Sequence, residues 1–194
     1  EVWENACRSL GLSGIAIPEK YGGSGFGPVE LSIVCEEMGR NLFCSPFMSS
    51  VICAGTAINL SSAEEETKEK YLSQIASGEI IAALAVTENK PMWEDENFVT
   101  TATPLDNGTF QLNGEKNYVI SANAADVLLV VTNLEENTTL FAVEKNAEGL
   151  DVSDLSVMDL TRKMSSCSFN KTPAKCLGSI DLERLCSHVL IYLS

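Results

Sequence analysis

The sequence changes its hydrophobic period near residue 80, and this change limits the fold more than any other feature does. Before it, apolar residues recur at three- and four-residue spacing, as in amphipathic helices, with residues 28–40 as a clear example. After it, short apolar runs typical of strands follow at 80–87, 99–105, 109–113, 115–121, 126–132 and 138–144. The pattern predicts an α+β chain with an N-terminal α-helical domain at 1–78, a β domain at 79–178 and a last helix in 179–194.

Turn signals separate the predicted strands. Asp-Asn-Gly at 106–108 and Asn-Gly at 113–114 are strong hairpin sequences. Strands this short and this closely linked indicate an antiparallel barrel or sandwich and exclude a βαβ arrangement. Residues 151–177 continue with weaker strand patterns.

Charge and cysteine content exclude several classes of protein. The formal net charge of −14 argues against nucleic acid as a partner, because phosphate contacts need clustered Lys and Arg. The seven cysteines form no Cys-x-x-Cys pair, and the single histidine, His188, leaves too few ligands for zinc. We therefore predict no metal site, buried thiols in a reducing compartment and an incidental helix position for His188. No apolar run is long enough to span a bilayer.

The glycine-dense segment at 11–27 has the composition of a phosphate-binding loop but not its spacing. No Gly-x-Gly-x-x-Gly falls in register, and no Lys-Ser/Thr follows Gly27. Pro28 comes next and suits the first turn of a helix. The glycines therefore predict a compact turn that leads into this helix.

The two ends of the chain suggest a fragment. The sequence opens at Glu1 without a methionine, and the helix predicted at 181–194 becomes apolar and ends without a Gly or Asn cap. We expect this helix to begin a truncated C-terminal helical domain.

Several short sequence motifs are similar, in the same order, to those of the acyl-CoA dehydrogenase family. The resemblance covers nearly the whole chain and rests on PEKYGGSG at 18–25, EEMGR at 36–40, EKYL at 69–72, SGE at 77–79, ALAVTE at 83–88 and LNGEK at 112–116. It implies a helical domain, a β-barrel and a C-terminal four-helix bundle, the last of which is cut off here.

The resemblance also implies a cofactor and a reaction. Members hold FAD against the barrel and oxidise the CH–CH bond next to an acyl-CoA thioester, the flavin supplying the redox chemistry. The first group of flavin contacts is Leu84, Val86 and Thr87, through backbone and hydroxyl groups. Tyr118, Val119 and Ile120 form the second group and stand where the family usually has Trp-Ile-Thr.

The chain departs from the family at two places in this stretch. NKPMWE at 89–94 replaces the usual PGAGSD, which puts Trp93 at a serine that touches flavin phosphate and thioester. Trp93 is the candidate substrate contact, although filling a groove or capping a partner is the favoured alternative. Ile120 lacks the hydroxyl that would donate to flavin N5. We expect the nearby carboxylates of Glu88, Glu94 and Asp95 to be solvated.

The resemblance predicts an FAD-dependent oxidoreductase that is complete only in a longer chain. Its expected partners are an acyl-CoA substrate, an acceptor of the electron-transfer flavoprotein type and other subunits in a homo- or hetero-oligomer. The expected compartment is cytoplasmic, or the mitochondrial matrix in a eukaryote. No residue matches the family's glutamate base, so we predict no catalytic residue. The alternatives are a non-catalytic partner subunit, an acyl-CoA oxidase and a flavin monooxygenase.

Overall fold

A computed structural model describes residues 2–89, 98–106 and 108–193, with the side chains of 190–193 excepted. Helices α1 (Val2–Leu10), α2 (Pro28–Arg40), α3 (Thr56–Leu60) and α4 (Glu65–Ser77) form the first part of the chain, and a π-helical segment, Phe47–Gly55, leads directly into α3. The predicted N-terminal helical domain is confirmed.

The start of α2 explains the glycine-dense segment. Pro28 occupies the first turn of this helix, and the Glu30 carboxylate accepts a hydrogen bond from the Gly27 backbone N–H at 3.0 Å. In the loop before it, a Cβ atom on Gly23 would lie 2.0 Å from the carbonyl oxygen of Ile17. The glycines therefore allow close backbone packing before the helix.

The second part of the chain is a seven-stranded sheet that closes on itself. Its strands are β1 (Ala82–Ala85), β2 (Thr101–Pro104), β3 (Phe110–Ile120), β4 (Val127–Leu134), β5 (Asn137–Glu144), β6 (Leu150–Asp154) and β7 (Met164–Ser179). They pair in the order β1-β4-β2-β3-β7-β5, β6 adds to β7, and a further β4–β5 pairing closes the barrel. The predicted barrel is confirmed, with β1 parallel to β4 rather than antiparallel.

The hairpin predicted at Asn113-Gly114 is wrong. The chain runs through this point as one strand, β3, which pairs with β7 on both sides of a register shift between Leu112 and Gly114. Gly114 has φ +145°, and a Cβ atom there would lie 2.6 Å from Thr100 Oγ1. The glycine makes a bulge that lets β3 pass close to Thr100. By contrast, β2 and β3, which flank the other predicted hairpin sequence, do pair antiparallel.

The last helix, α5 (Leu182–Leu193), packs on the helical domain. Leu182, Leu185 and Val189 are buried in the same core cluster as Leu31 of α2. The first half of this helix therefore has its partner within the chain, a contact that the apolar pattern of 181–194 did not reveal.

In the parts of the chain that the structure describes, no helix is long and apolar enough to cross a membrane.

Gly114→Ala should destabilise the protein by about 2 kcal/mol or more, because the new methyl group meets Thr100 and the backbone has a positive φ. Urea unfolding followed by circular dichroism would measure the change. Gly39→Ala is the matched control: this glycine lies in α2, and a Cβ atom added to it would meet no atom within 4 Å. Alanine should therefore be neutral there or stabilise by ~0.5–1 kcal/mol. Equal effects at both positions would contradict the bulge argument.

Candidate functional site

A concave site lies where the ends of β1 and β3 meet the π-helical segment. Five of the predicted flavin contacts line it, and three further residues complete its wall. The whole lining is Ser49, Cys53, Leu84, Val86, Thr87, Asn117, Tyr118 and Ile120. The fold thus gathers, at one place, side chains that are about thirty positions apart in the sequence.

Val119 is the one predicted flavin contact whose side chain lies elsewhere. It is 2% exposed and packs in the barrel core with Leu112 and Phe141. Its neighbours Tyr118 and Ile120 both line the concave site, so this short stretch keeps strand alternation. Only the backbone of Val119 therefore remains a candidate contact for the cofactor.

A bulge in β3 presents Tyr118. The pairing of β3 with β7 shifts register between Lys116 and Val119, and Tyr118 has φ +58°. Its side chain is 56% exposed, which rules out the core position that an aromatic residue on a barrel strand would usually take. The Asn117 N–H donates to the Thr87 carbonyl oxygen at 2.7 Å and so joins the bulge to the chain leaving β1.

An ion pair whose lysine is fully buried lies beside this connection. The Lys116 ammonium is 0% exposed and donates to Glu88 Oε1 at 2.8 Å and to the Val86 carbonyl oxygen at 3.0 Å. It also lies 4.0 Å from the centre of the Phe98 ring, within cation–π distance. The side chain of Glu88 is 13% exposed.

Glu88 also binds the backbone of the chain that enters β2. Its two oxygens accept the N–H groups of Val99 at 2.6 Å and of Thr100 at 2.9 Å. The prediction that Glu88 is solvated is therefore wrong, because the buried ammonium and these N–H groups hold its carboxylate inside. The sequence holds a partial signal: a lysine on the apolar inner face of a strand needs a polar or charged partner, but the sequence does not show which residue that is. Trp93, Glu94 and Asp95 lie outside the described residues.

The pair shifts both pKa values. Desolvation lowers the pKa of Lys116 to about 8, against the opposing effect of Glu88. Desolvation by itself raises the pKa of Glu88, but the hydrogen bonds from Lys116, Thr100 and Val99 outweigh it and hold this pKa below its ordinary value of 4.5. Glu88 is therefore a carboxylate at neutral pH.

Cys53 lines the site but is not a nucleophile there. Burial raises the pKa of its thiol to about 12, so the thiolate is not formed at neutral pH. Each of the seven cysteines, all within the described part of the chain, is a free thiol, but only Cys7 and Cys167 are buried and Cys44 is exposed. The prediction that the cysteines are buried is therefore wrong for most of them. His188 lies on α5 and contacts the Arg184 carbonyl oxygen of its own helix. Among the described residues, no group of His, Cys, Asp and Glu side chains could hold a metal ion.

Comparison with known proteins decides the family. Residues 1–79 match the acyl-CoA dehydrogenase N-terminal domain, and residues 83–171 match the acyl-CoA dehydrogenase middle domain. The chain belongs to the acyl-CoA dehydrogenase family. The two matched regions correspond to the helical part of the chain and to its barrel.

Individual relatives agree with this assignment. The chain is 31% identical over 160 residues to an L-prolyl-[peptidyl-carrier protein] dehydrogenase of Pseudomonas fluorescens, covering 76% of this chain and 41% of that protein. It is 32% identical over 163 residues to the mitochondrial isovaleryl-CoA dehydrogenase of Pongo abelii, covering 79% and 38%. A Bacillus anthracis acyl-CoA dehydrogenase complexed with FAD matches with a TM-score of 0.77 and 28% identity, over 97% of this chain and 34% of that one. The chain thus spans less than half the length of these relatives.

Low pH should lower the free energy of unfolding, because the Glu88 carboxylate becomes protonated. Because its pKa is lower in the folded than in the unfolded protein, its stabilising contribution is complete above pH 4.5 and is lost as the pH falls through the folded pKa. We expect the difference in free energy of unfolding between wild type and Glu88→Gln to be largest near pH 7 and to shrink toward pH 3. Urea titrations at several pH values would measure it. Glu69→Gln is the control, because Glu69 is exposed on α4, and its free energy of unfolding should vary with pH as that of the wild type does. If the difference between wild type and Glu88→Gln were the same at every pH, the stabilising role of the Glu88 carboxylate would be contradicted.

Proposed function

We propose that the complete protein is an FAD-dependent acyl-CoA dehydrogenase that oxidises the CH–CH bond next to a thioester. The observation that carries the proposal is the concave site at the ends of β1 and β3, where Leu84, Val86, Thr87, Tyr118 and Ile120 come together. These are the side chains that resemblance to the family assigned to the flavin, and only the fold makes them neighbours.

The chemistry of the site suits one side of a flat, mostly apolar ring system. Leu84, Val86 and Ile120 offer an aliphatic wall, and the exposed phenol of Tyr118 can cover a ring face. Thr87 and Asn117 add polar groups to this wall, and a few polar groups commonly fix the orientation of a ligand in a mostly apolar site. When bound, FAD would supply the hydride-accepting chemistry.

The chain's own residues would bind and orient rather than move protons. In this proposal the Thr87 hydroxyl hydrogen-bonds the ring, and the side chains of Leu84, Val86 and Tyr118 exclude water from it. Cys53 remains a neutral thiol because its pKa is about 12. We assign no base to this chain and propose that one comes from another part of the protein.

The proposed partners are an acyl thioester, an electron-transfer flavoprotein as acceptor and further subunits. Relatives named for acyl-CoA and for peptidyl-carrier substrates both match the chain, which supports a thioester and leaves its carrier to experiment. A reducing compartment, cytoplasmic or mitochondrial, agrees with seven free thiols.

One observation favours a second candidate, a partner subunit with weakened flavin contacts. Ile120 lines the site with an aliphatic side chain where the family usually has a hydroxyl. Loss of one hydrogen bond to a reacting centre is worth about 1–3 kcal/mol, which slows a reaction without preventing cofactor binding.

The visible spectrum of the complete protein separates the two candidates. We expect a yellow protein with flavin absorption that bleaches when an acyl-CoA of suitable length is added without an acceptor. A series of acyl-CoAs with a dye acceptor would then measure turnover. A colourless protein that takes up no added FAD would exclude the dehydrogenase, whereas a yellow protein that no thioester bleaches would favour the partner subunit.

Ile120→Thr should accelerate flavin reduction by about tenfold, because the added hydroxyl restores a hydrogen bond worth ~1–2 kcal/mol at the reacting centre. Stopped-flow measurement of the bleaching rate under anaerobic conditions tests this. Ile120→Val is the matched control, since it removes similar volume and adds no hydroxyl, and should leave the rate within about twofold of wild type. Equal acceleration by both changes would assign the effect to space rather than to the hydrogen bond.

A further inference from the structure

The buried Lys116–Glu88 pair is connected to the concave site at more than one point. Lys116 is the last residue of β3 before the bulge, and the next two residues, Asn117 and Tyr118, both line the site. On the other side, its ammonium holds the Val86 carbonyl oxygen, and Val86 also lines the site. One cation thus joins the two stretches of chain that form the wall.

Glu88 extends the connection to the chain entering β2. Its carboxylate accepts hydrogen bonds from Lys116 and from the N–H groups of Val99 and Thr100. The Thr87 carbonyl oxygen, one residue earlier, accepts the Asn117 N–H at 2.7 Å. The ends of β1 and β3 and the start of β2 are therefore fixed to one another by charge-assisted hydrogen bonds, which are short and directional.

A barrel core built only for stability would not need this pair. An ammonium that is 0% exposed costs desolvation energy, and apolar residues of similar volume are often as stable as a buried ion pair or more so. What the pair adds is geometry, because two charges with fixed hydrogen-bond directions allow fewer arrangements than aliphatic side chains do.

We propose that Lys116 and Glu88 are positioning residues, which set the spacing between the ends of β1 and β3 and thereby the affinity of the site for FAD. The inference rests on the proposed function, and neither side chain lines the site itself. Their effect on the cofactor passes through Val86, Thr87, Asn117 and Tyr118.

The test compares FAD affinity with stability in the complete protein. Apoprotein is titrated with FAD, whose fluorescence reports binding, and each variant's Tm is measured without FAD. Lys116→Met leaves the Glu88 charge buried without its partner, and should lower both the Tm and the FAD affinity, the latter by about tenfold or more. Lys116→Met combined with Glu88→Gln removes both charges and keeps an amide oxygen that can accept from the Val99 and Thr100 N–H groups. This double variant should recover most of the Tm lost in Lys116→Met while FAD affinity stays about tenfold weaker.

Leu72→Ala is the control for lost stability alone. Leu72 is 0% exposed on α4, a helix that contributes no residue to the concave site. This variant should lower the Tm and leave FAD affinity within about threefold of wild type, because it removes core packing without changing any residue that lines the site or holds its wall.

The outcomes separate this inference from the proposed function. Wild-type protein that binds no FAD would overturn both. Wild-type protein that binds FAD, together with a double variant that recovers both its Tm and its FAD affinity, would overturn the positioning role alone. The same conclusion would follow if Lys116→Met bound FAD as wild type does, or if Leu72→Ala lost as much affinity as Lys116→Met.

Discussion

Contacts of the Lys116 ammonium hold together the end of the barrel that carries the concave site. The ammonium is enclosed completely, and it satisfies its hydrogen-bonding capacity with a carboxylate, a backbone carbonyl oxygen and an aromatic face. In a low-dielectric interior such a group is tolerated only when its partners are held in place. The chain after β1 and the chain before β2 therefore have to meet at β3, and Val86, Thr87 and Asn117 are brought together as a consequence.

Backbone irregularities give this end of the barrel its shape. Gly114 allows β3 to pass against Thr100, and the second bulge, between Lys116 and Val119, turns Tyr118 out of the core. A regular strand would direct successive side chains to alternate faces without interruption. Two bulges in one strand let β3 contribute both a buried cation and an exposed phenol within three residues.

The same region contains Ile120, where resemblance to the family predicts a hydroxyl group. The cavity wall keeps its aliphatic character and its threonine at the end of β1, but at Ile120 it lacks a hydroxyl. Cofactor binding depends on many contacts over a large surface, whereas the rate of a hydride transfer depends on few groups near the reacting atoms. Under the proposed function, a change at Ile120 would affect the rate of flavin reduction more than the binding of FAD. The dehydrogenase and the partner subunit are therefore distinct proposals that experiment can separate.

The sequence alone determined the order of helical and β parts, the helix that begins at Pro28, the antiparallel connection from β2 to β3 and the family. These depend on local periodicity, on turn residues and on short motifs, all of which are readable along the chain. It predicted five of the residues that line the concave site, because resemblance to the family's motifs assigned those positions to the flavin.

Only the tertiary structure decided what depends on residues distant in sequence. Asn113-Gly114 has the local signal of a hairpin, yet pairing with β7 on both sides keeps it within β3. Glu88 belongs to an acidic stretch whose local pattern predicts a solvated side chain, yet Lys116 holds it inside from 28 positions away. Local propensity amounts to about 1 kcal/mol or less per residue. A buried charge without its partner costs several kcal/mol, so the long-range contact prevails over the local preference.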